Sequence, residues 1–126
     1  MDEIHPIKMS GLADSGSFAL EYLLLGNILR AKELMPCGIE FCRRIERSHE
    51  DDAVKSKASE IKEKLSFLLS GNITYTENFL SIKEIREYQK FFNDTSMPYL
   101  KKAYIEMKKL EAKKRFPHRL PLKVIP

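Results

Sequence analysis

The chain has 126 residues and a mass of 14.7 kDa, enough for one domain around one apolar core. Hydrophobic residues make up 43% and charged residues 32%, which separates it from disordered chains, and two cysteines are too few for a disulfide scaffold. No apolar run reaches the ~18–20 residues of a membrane span, and Met1-Asp2-Glu3 lacks the apolar core of a secretory signal, so a cytoplasmic protein is expected, or a nuclear one in a eukaryote. The net charge of +4 conceals a division. From Met97 onward nine basic groups face two acidic ones, whereas residues 1–96 hold thirteen basic and sixteen acidic groups. A basic C-terminal end on a mildly acidic body favours an anionic partner.

In chain order, residues 1–16 contain Pro6, Gly11 and Gly16 and read as a loose leader, with a first helix beginning between Ala13 and Phe18. It runs to about Leu25 and stops at Gly26-Asn27. A second helix follows to about Arg47, in which Ala31, Met35, Gly38, Cys42 and Ile45 step by 4, 3, 4 and 3 as one buried stripe. Pro36 falls inside it, where a kink or a later start is expected. Ser48-His49-Glu50-Asp51 has capping-box spacing and introduces a third helix, about Asp52 to Ser70, with Val54, Ala58, Ile61, Leu65 and Leu68 in the same rhythm. Gly71-Asn72 ends it.

A fourth helix is expected over about Thr76 to Phe92, with two competing starts at Thr74…Glu77 and Ser81…Glu84 and a core face of Ile82, Ile85, Tyr88, Gln89 and Phe92. Asn93-Asp94-Thr95-Ser96 reads as a loop. A fifth helix then carries Pro98 in its first turn and ends near Arg115, with Leu100, Ala103, Tyr104, Met107 and Leu110 as its core seam. Pro117, Pro121 and Pro126 make the remainder an extended tail. No strand pattern occurs. The expectation is an all-α chain of about five helices in antiparallel hairpins, laid out as a flexible leader 1–14, a helical domain 15–115 and a tail 116–126. Five helices fit either an open array or a closed bundle.

One segment recurs. Leu20-Glu21-Tyr22-Leu23-Leu24-Leu25-Gly26-Asn27-Ile28 reappears as Leu65-Ser66-Phe67-Leu68-Leu69-Ser70-Gly71-Asn72-Ile73 at a spacing of 45, so the first and third helices are expected to end alike. Over Ser15 to Ile45 the pattern resembles a tetratricopeptide repeat. The small residue of the family's first helix falls on Ala19, with Phe18 before it and Tyr22 three positions on, followed by the Gly26-Asn27 turn and by Ala31, Met35, Gly38 and Ile39 in the second helix. The sequence departs from that pattern at Ser15, at Met35 and at Pro36. It is similarly close to the second and third helices of the microtubule-interacting-and-trafficking module. Either resemblance implies an adaptor that binds a peptide or helix and performs no chemistry.

The residues that would carry chemistry are scattered. His5, His49 and His118 stand apart, with only the acidic neighbours Glu46, Glu50 and Asp51 around His49. Cys37 and Cys42 lie five apart, about 140° around a helix, and read as reduced, buried thiols. There is no phosphate-binding glycine loop and no nucleophile elbow, and Asn72-Ile73-Thr74 and Asn93-Asp94-Thr95 read as turns rather than glycosylation sites. No catalytic residue, metal ligand or cofactor is expected, and the chain reads as a non-enzyme.

Two partner surfaces follow. One is the groove between the first two helices and the third, with Tyr22 and Leu24 flanked by Arg43, Arg44 and Arg47, which in an open array would receive a peptide or helix of another protein and in a closed bundle would be filled. The other is an anion-binding face made of Lys101, Lys102, Lys108, Lys109, Lys113, Lys114 and Arg115. With Leu100 set at 0°, the apolar seam of that helix spans about 280–40°, while lysines gather near 60–100° and 180–220°. The alternative function is therefore a small nucleic-acid-associated protein that grips phosphates there. Ile105, alone amid the lysines, leaves room for self-association. Lys113-Lys114-Arg115 followed by Leu120-Pro121-Leu122 also resembles a kinase-docking or nuclear-import linear motif.

Overall fold

A computed structural model of the chain describes residues 5–71 and 80–115. Every regular element among them is helical: α1 Pro6–Leu24, α2 Ile28–Ser48, α3 Asp52–Ser70 and α4 Ile82–Arg115. The all-α expectation holds, with four helices among the described residues instead of five. The expected tail 116–126, the start at Thr76 and the sequon at Asn72 lie outside the described residues.

Residues 6–14, assigned above to a flexible leader, are the first half of α1. Pro6 stands in the first turn, where its missing N–H has no helical partner to lose. Met9, Ala13, Gly16, Leu20 and Leu23 then step 4, 3, 4 and 3, and all five are buried. A glycine inside a helix costs about 1 kcal/mol. Full burial of one side chain the size of Met9 returns roughly 1.5–3 kcal/mol, so packing outweighs the glycine signal. α1 ends where expected, at Gly26 with φ +81°, whose N–H donates to the Leu23 carbonyl at 3.1 Å while the Asn27 N–H donates to Tyr22 at 2.9 Å. Gly71 behaves differently. It caps α3 in an extended conformation, φ −97°, so the two Gly-Asn repeats do not end their helices alike.

α2 is capped by Asn27, whose Oδ1 accepts the Arg30 N–H at 3.1 Å, and continues past Pro36 to Ser48. The proline lies on the exposed side, so the carbonyl it leaves unbonded is not trapped in the core. The predicted stripe is buried throughout, joined by Phe41. The cap of α3 is Asp51, not Ser48: its Oδ1 accepts the Ala53 N–H at 2.8 Å, whereas the Ser48 hydroxyl turns back to the Arg44 carbonyl at 2.7 Å.

Of the two starts considered for α4, Ser81 and Glu84 form a reciprocal capping box, at 3.0 and 3.1 Å. The helix does not break at Asn93–Ser96. Lys90 pairs with Asp94 at 2.6 Å, the Ser96 hydroxyl donates to the Asn93 carbonyl at 3.2 Å, and Pro98 is exposed like Pro36. The core-facing row Ile85, Tyr88, Phe92, Ser96, Tyr99 and Ala103 keeps helical spacing across the turn-forming residues, and this row overrides their local preference.

α1 packs along α2 and α4, and α2 packs along α3. α4 runs antiparallel to α1, with Arg86 beside Glu21 at 3.1 Å and Gln89 donating to the Ser17 carbonyl at 3.2 Å. Across a wider seam, α4 reaches α3 through the Tyr88 hydroxyl, which donates to Glu60 at 2.8 Å, and through Lys57–Glu87 and Lys64–Glu84 at 3.7 and 3.8 Å. The helices thus close on one another as a bundle. Gly16 and Gly38 meet at its centre beneath the Phe92 ring. A Cβ on Gly38 would stand 2.9 Å from the Gly16 Cα, and one on Gly16 would stand 2.8 Å from the tip of Phe92.

Gly38→Ala is therefore expected to destabilise the protein by roughly 1–3 kcal/mol, since backbone must move to admit the methyl. Gly11→Ala, with nothing within 4 Å, is expected to stabilise it by about 0.5–1 kcal/mol. Urea unfolding of both variants checks the opposite signs.

Candidate partner-binding surface

The five residues assigned to a groove do not converge. Because α1 and α2 cross at Gly16 and Gly38 and run antiparallel, Tyr22 and Arg44 lie on opposite sides of the crossing, roughly 18 Å apart along the helices. Tyr22 is half-buried, with the Arg30 guanidinium 5.8 Å from its ring centre, and Leu24 packs against the core. Arg43 and Arg44 both bind Glu40, Arg44 through Nε at 2.5 Å. Arg47 stands on the exposed face near the end of α2. The space above Gly16 and Gly38 is filled by Phe92, whose ring centre lies 5.7 Å from that of Phe41.

Several titratable groups of the body are shifted by burial and by their neighbours. Burial works to raise the Glu40 carboxyl, but hydrogen bonds from Arg44 and Arg43 outweigh it and hold it below its ordinary value. Glu46 is likewise opposed by burial and lowered by Lys62, which donates to it at 2.6 Å, and by Ser59. Burial, then the Glu60 carboxylate, push the Tyr88 phenol up. Burial and the neighbouring Glu46 push the Cys42 thiol to about 12. Such a thiol is protonated at neutral pH and is no nucleophile. Among the described residues no group of three or more His, Cys, Asp or Glu side chains is placed to hold a metal ion.

The C-terminal half of α4 is a different kind of surface. Ala103 is its last buried residue among the described ones, and residues 104–115 carry the helix roughly 18 Å beyond it. His5, just before α1, marks this root, 3.9 Å from Glu106. Of the seam expected to be core, only Ala103 is buried. Tyr104 is 58% exposed, Met107 51% and Leu110 57%, with Leu100 exposed beside them. The periodicity identified an apolar face correctly and could not reveal that nothing in the described chain lies opposite it.

The lysines of the predicted anion-binding set, Lys101, Lys102, Lys108, Lys109, Lys113 and Lys114, are all exposed along this half of the helix, and Arg115 ends it. Lys108 lies 5.6 Å from the Tyr104 ring centre and 3.8 Å from Glu111. The structure thus exposes the apolar seam together with the lysines of the same half-helix. A smaller open groove lies between α3 and α4, lined by Val54, Phe91 and the charged rim of Lys57, Glu87, Lys90 and Asp94. No helix among the described residues is long and apolar enough to cross a membrane.

Comparison of the chain with protein-family models, with curated proteins and with solved structures finds no match.

Two outcomes follow from the titrations. Glu40 and Glu46 sit below the ordinary 4.5, so their stabilisation is complete above that pH and is lost as pH falls through their folded values. The urea midpoint is expected to hold between about pH 7 and pH 5 and to drop below about pH 4, with a shallower drop in Glu40→Gln. Cys42 is expected to react with a thiol reagent at about pH 8 only when the protein unfolds, measured by mass spectrometry across a urea series.

Proposed function

We propose that the protein is a non-enzymatic interaction module that docks a peptide or helix of a partner protein on the C-terminal half of α4. The observation that carries this reading is the exposed seam of Tyr104, Met107 and Leu110 on a helix that projects from a closed bundle. Burying each such side chain on docking contributes up to about 1.5–3 kcal/mol. An exposed ion pair contributes about 0–1 kcal/mol. The apolar seam therefore supplies affinity, and the lysines beside it supply attraction and orientation. The likeness of residues 15–45 to a tetratricopeptide hairpin is in keeping with an adaptor, although the docking face moves from that hairpin to α4. Two free cysteines, Cys37 and Cys42, suit a reducing compartment such as the cytoplasm or nucleus.

The alternative, phosphate binding to nucleic acid, uses the same lysines. It leaves the apolar seam without a role, and that seam is what tips the choice toward a protein partner.

The test places a photo-activatable residue at position 107 of the full chain in its own cells, with the same residue at position 87 as control. A discrete protein adduct from position 107 alone, abolished by Leu110→Asp, is the expected result. A nuclease-sensitive adduct in its place would move the assignment to nucleic acid, and no adduct at 107 would refute the docking face.

A further inference from the structure

Building on the docking face proposed above, we infer that its occupant is an acidic amphipathic helix of a partner protein, laid along α4 so that it extends the bundle beyond the end of α1. Three observations converge on this occupant.

The first is continuity. On a helical projection with Leu100 at 0°, the buried residues Ile85, Phe92 and Ala103 fall near 280–300°, and Leu110 and Met107 continue the same row at about 280° and 340°. The row that is buried within the bundle therefore runs on along the helix into the exposed segment beyond the start of α1. What this row packs against inside the body is another helix at close range. The same row outside the body presents the same kind of seat.

The second is width. The exposed apolar arc covers about 120° and holds Glu111 near 20° and Lys114 near 320° within it; lysines lie to either side near 60–100° and 180–220°, with Glu106 near 240°. A narrow seam between charged flanks is the pattern of helix against helix, whereas a helix lying in a lipid surface presents a broad apolar face.

The third is charge. From Met97 to Arg115 seven basic groups face only Glu106 and Glu111. Two copies of this segment laid together would repel along their length, which argues against self-pairing. A helix with Asp or Glu on both edges of its apolar row meets lysines on each side, and the charges hold it in register.

Fluorescence anisotropy with the full chain decides the matter, using two labelled synthetic helices of equal length and identical leucine rows. One carries Glu at every flanking position and the other carries Lys. The expected result is saturable binding of the Glu-flanked helix at least about tenfold tighter than the Lys-flanked one, weakening as salt rises. Met107→Asp with Leu110→Asp is expected to abolish binding while circular dichroism retains the helical signal. Lys109→Glu with Lys113→Glu is expected to weaken the Glu-flanked helix and strengthen the Lys-flanked one.

Equal binding of the two helices, binding of neither, or unchanged binding in Lys109→Glu with Lys113→Glu would overturn the acidic occupant. So would tighter binding of a DNA duplex or of phosphatidylserine vesicles, or a dimer in sedimentation that Leu110→Asp dissolves. A protein adduct at position 107 alongside any such result leaves the docking face in place and removes only its acidic occupant. Loss of that adduct removes the docking face itself.

Discussion

The contact between Gly16 and Gly38 sets the geometry of this molecule. Two helices that meet without side chains at the crossing come closer than any other residue pair would allow, and the Phe92 ring closes the gap above them. That one seat fixes three helices at once: α1 on α2 through the glycines, and α4 on both through the ring. Phe41 supports Phe92 from α2, and Leu65 of α3 lies 3.5 Å from where a Gly38 Cβ would be. The interior is apolar around this point, so the position of α4 along its axis is a packing outcome.

Its rotation is set by polar groups. Gln89 is buried, and its amide donates both to the Ser17 carbonyl and to Glu21, while its oxygen accepts from Arg86 at 2.8 Å. On the other side the Tyr88 hydroxyl is committed to Glu60. A net hydrogen bond contributes about 0.5–1.5 kcal/mol, but a buried amide left unpaired costs more, so turning α4 about its axis is penalised on two sides. The direction of Tyr104, Met107 and Leu110 on the projecting half is thereby inherited from contacts several turns away. An exposed seam built on a continuous helix needs no ordering of its own.

Much of this was legible in the sequence and some was not, for identifiable reasons. The stripes of α2 and α3 were readable because apolar residues spaced 4 and 3 apart fall on one side of a helix, and Ala31 to Ile45 and Ala58 to Leu68 are buried at every step of that spacing. Glycine and turn residues misled in both directions. Gly16 read as part of a leader and is a packing residue, and Asn93–Ser96 read as a loop and is helix, because local preference is weak against an apolar row that spans it. Ile82 was placed in the core and is exposed, one position from the cap that starts α4. At the surface the sequence placed lysines along the last helix, and these are exposed. It could not assign the seam to solvent, since periodicity marks a face without stating its distance from the rest of the chain. The arginine groove failed for the same reason: Tyr22 and Arg44 are close in a schematic hairpin and separate once the crossing point is known.

The order in which the chain is made gives the Phe92 seat a further meaning. Hydrogen bonds between α1 and α4 join residues 65 to 72 positions apart, whereas α1 with α2 and α2 with α3 are joined by short connections. During synthesis the first three helices can assemble locally while the glycine crossing still lies open to water. Closure of the core therefore waits for α4, and the segment that completes the interior is continuous with the exposed half of the same helix. Maturation of the fold and presentation of the exposed seam are a single event.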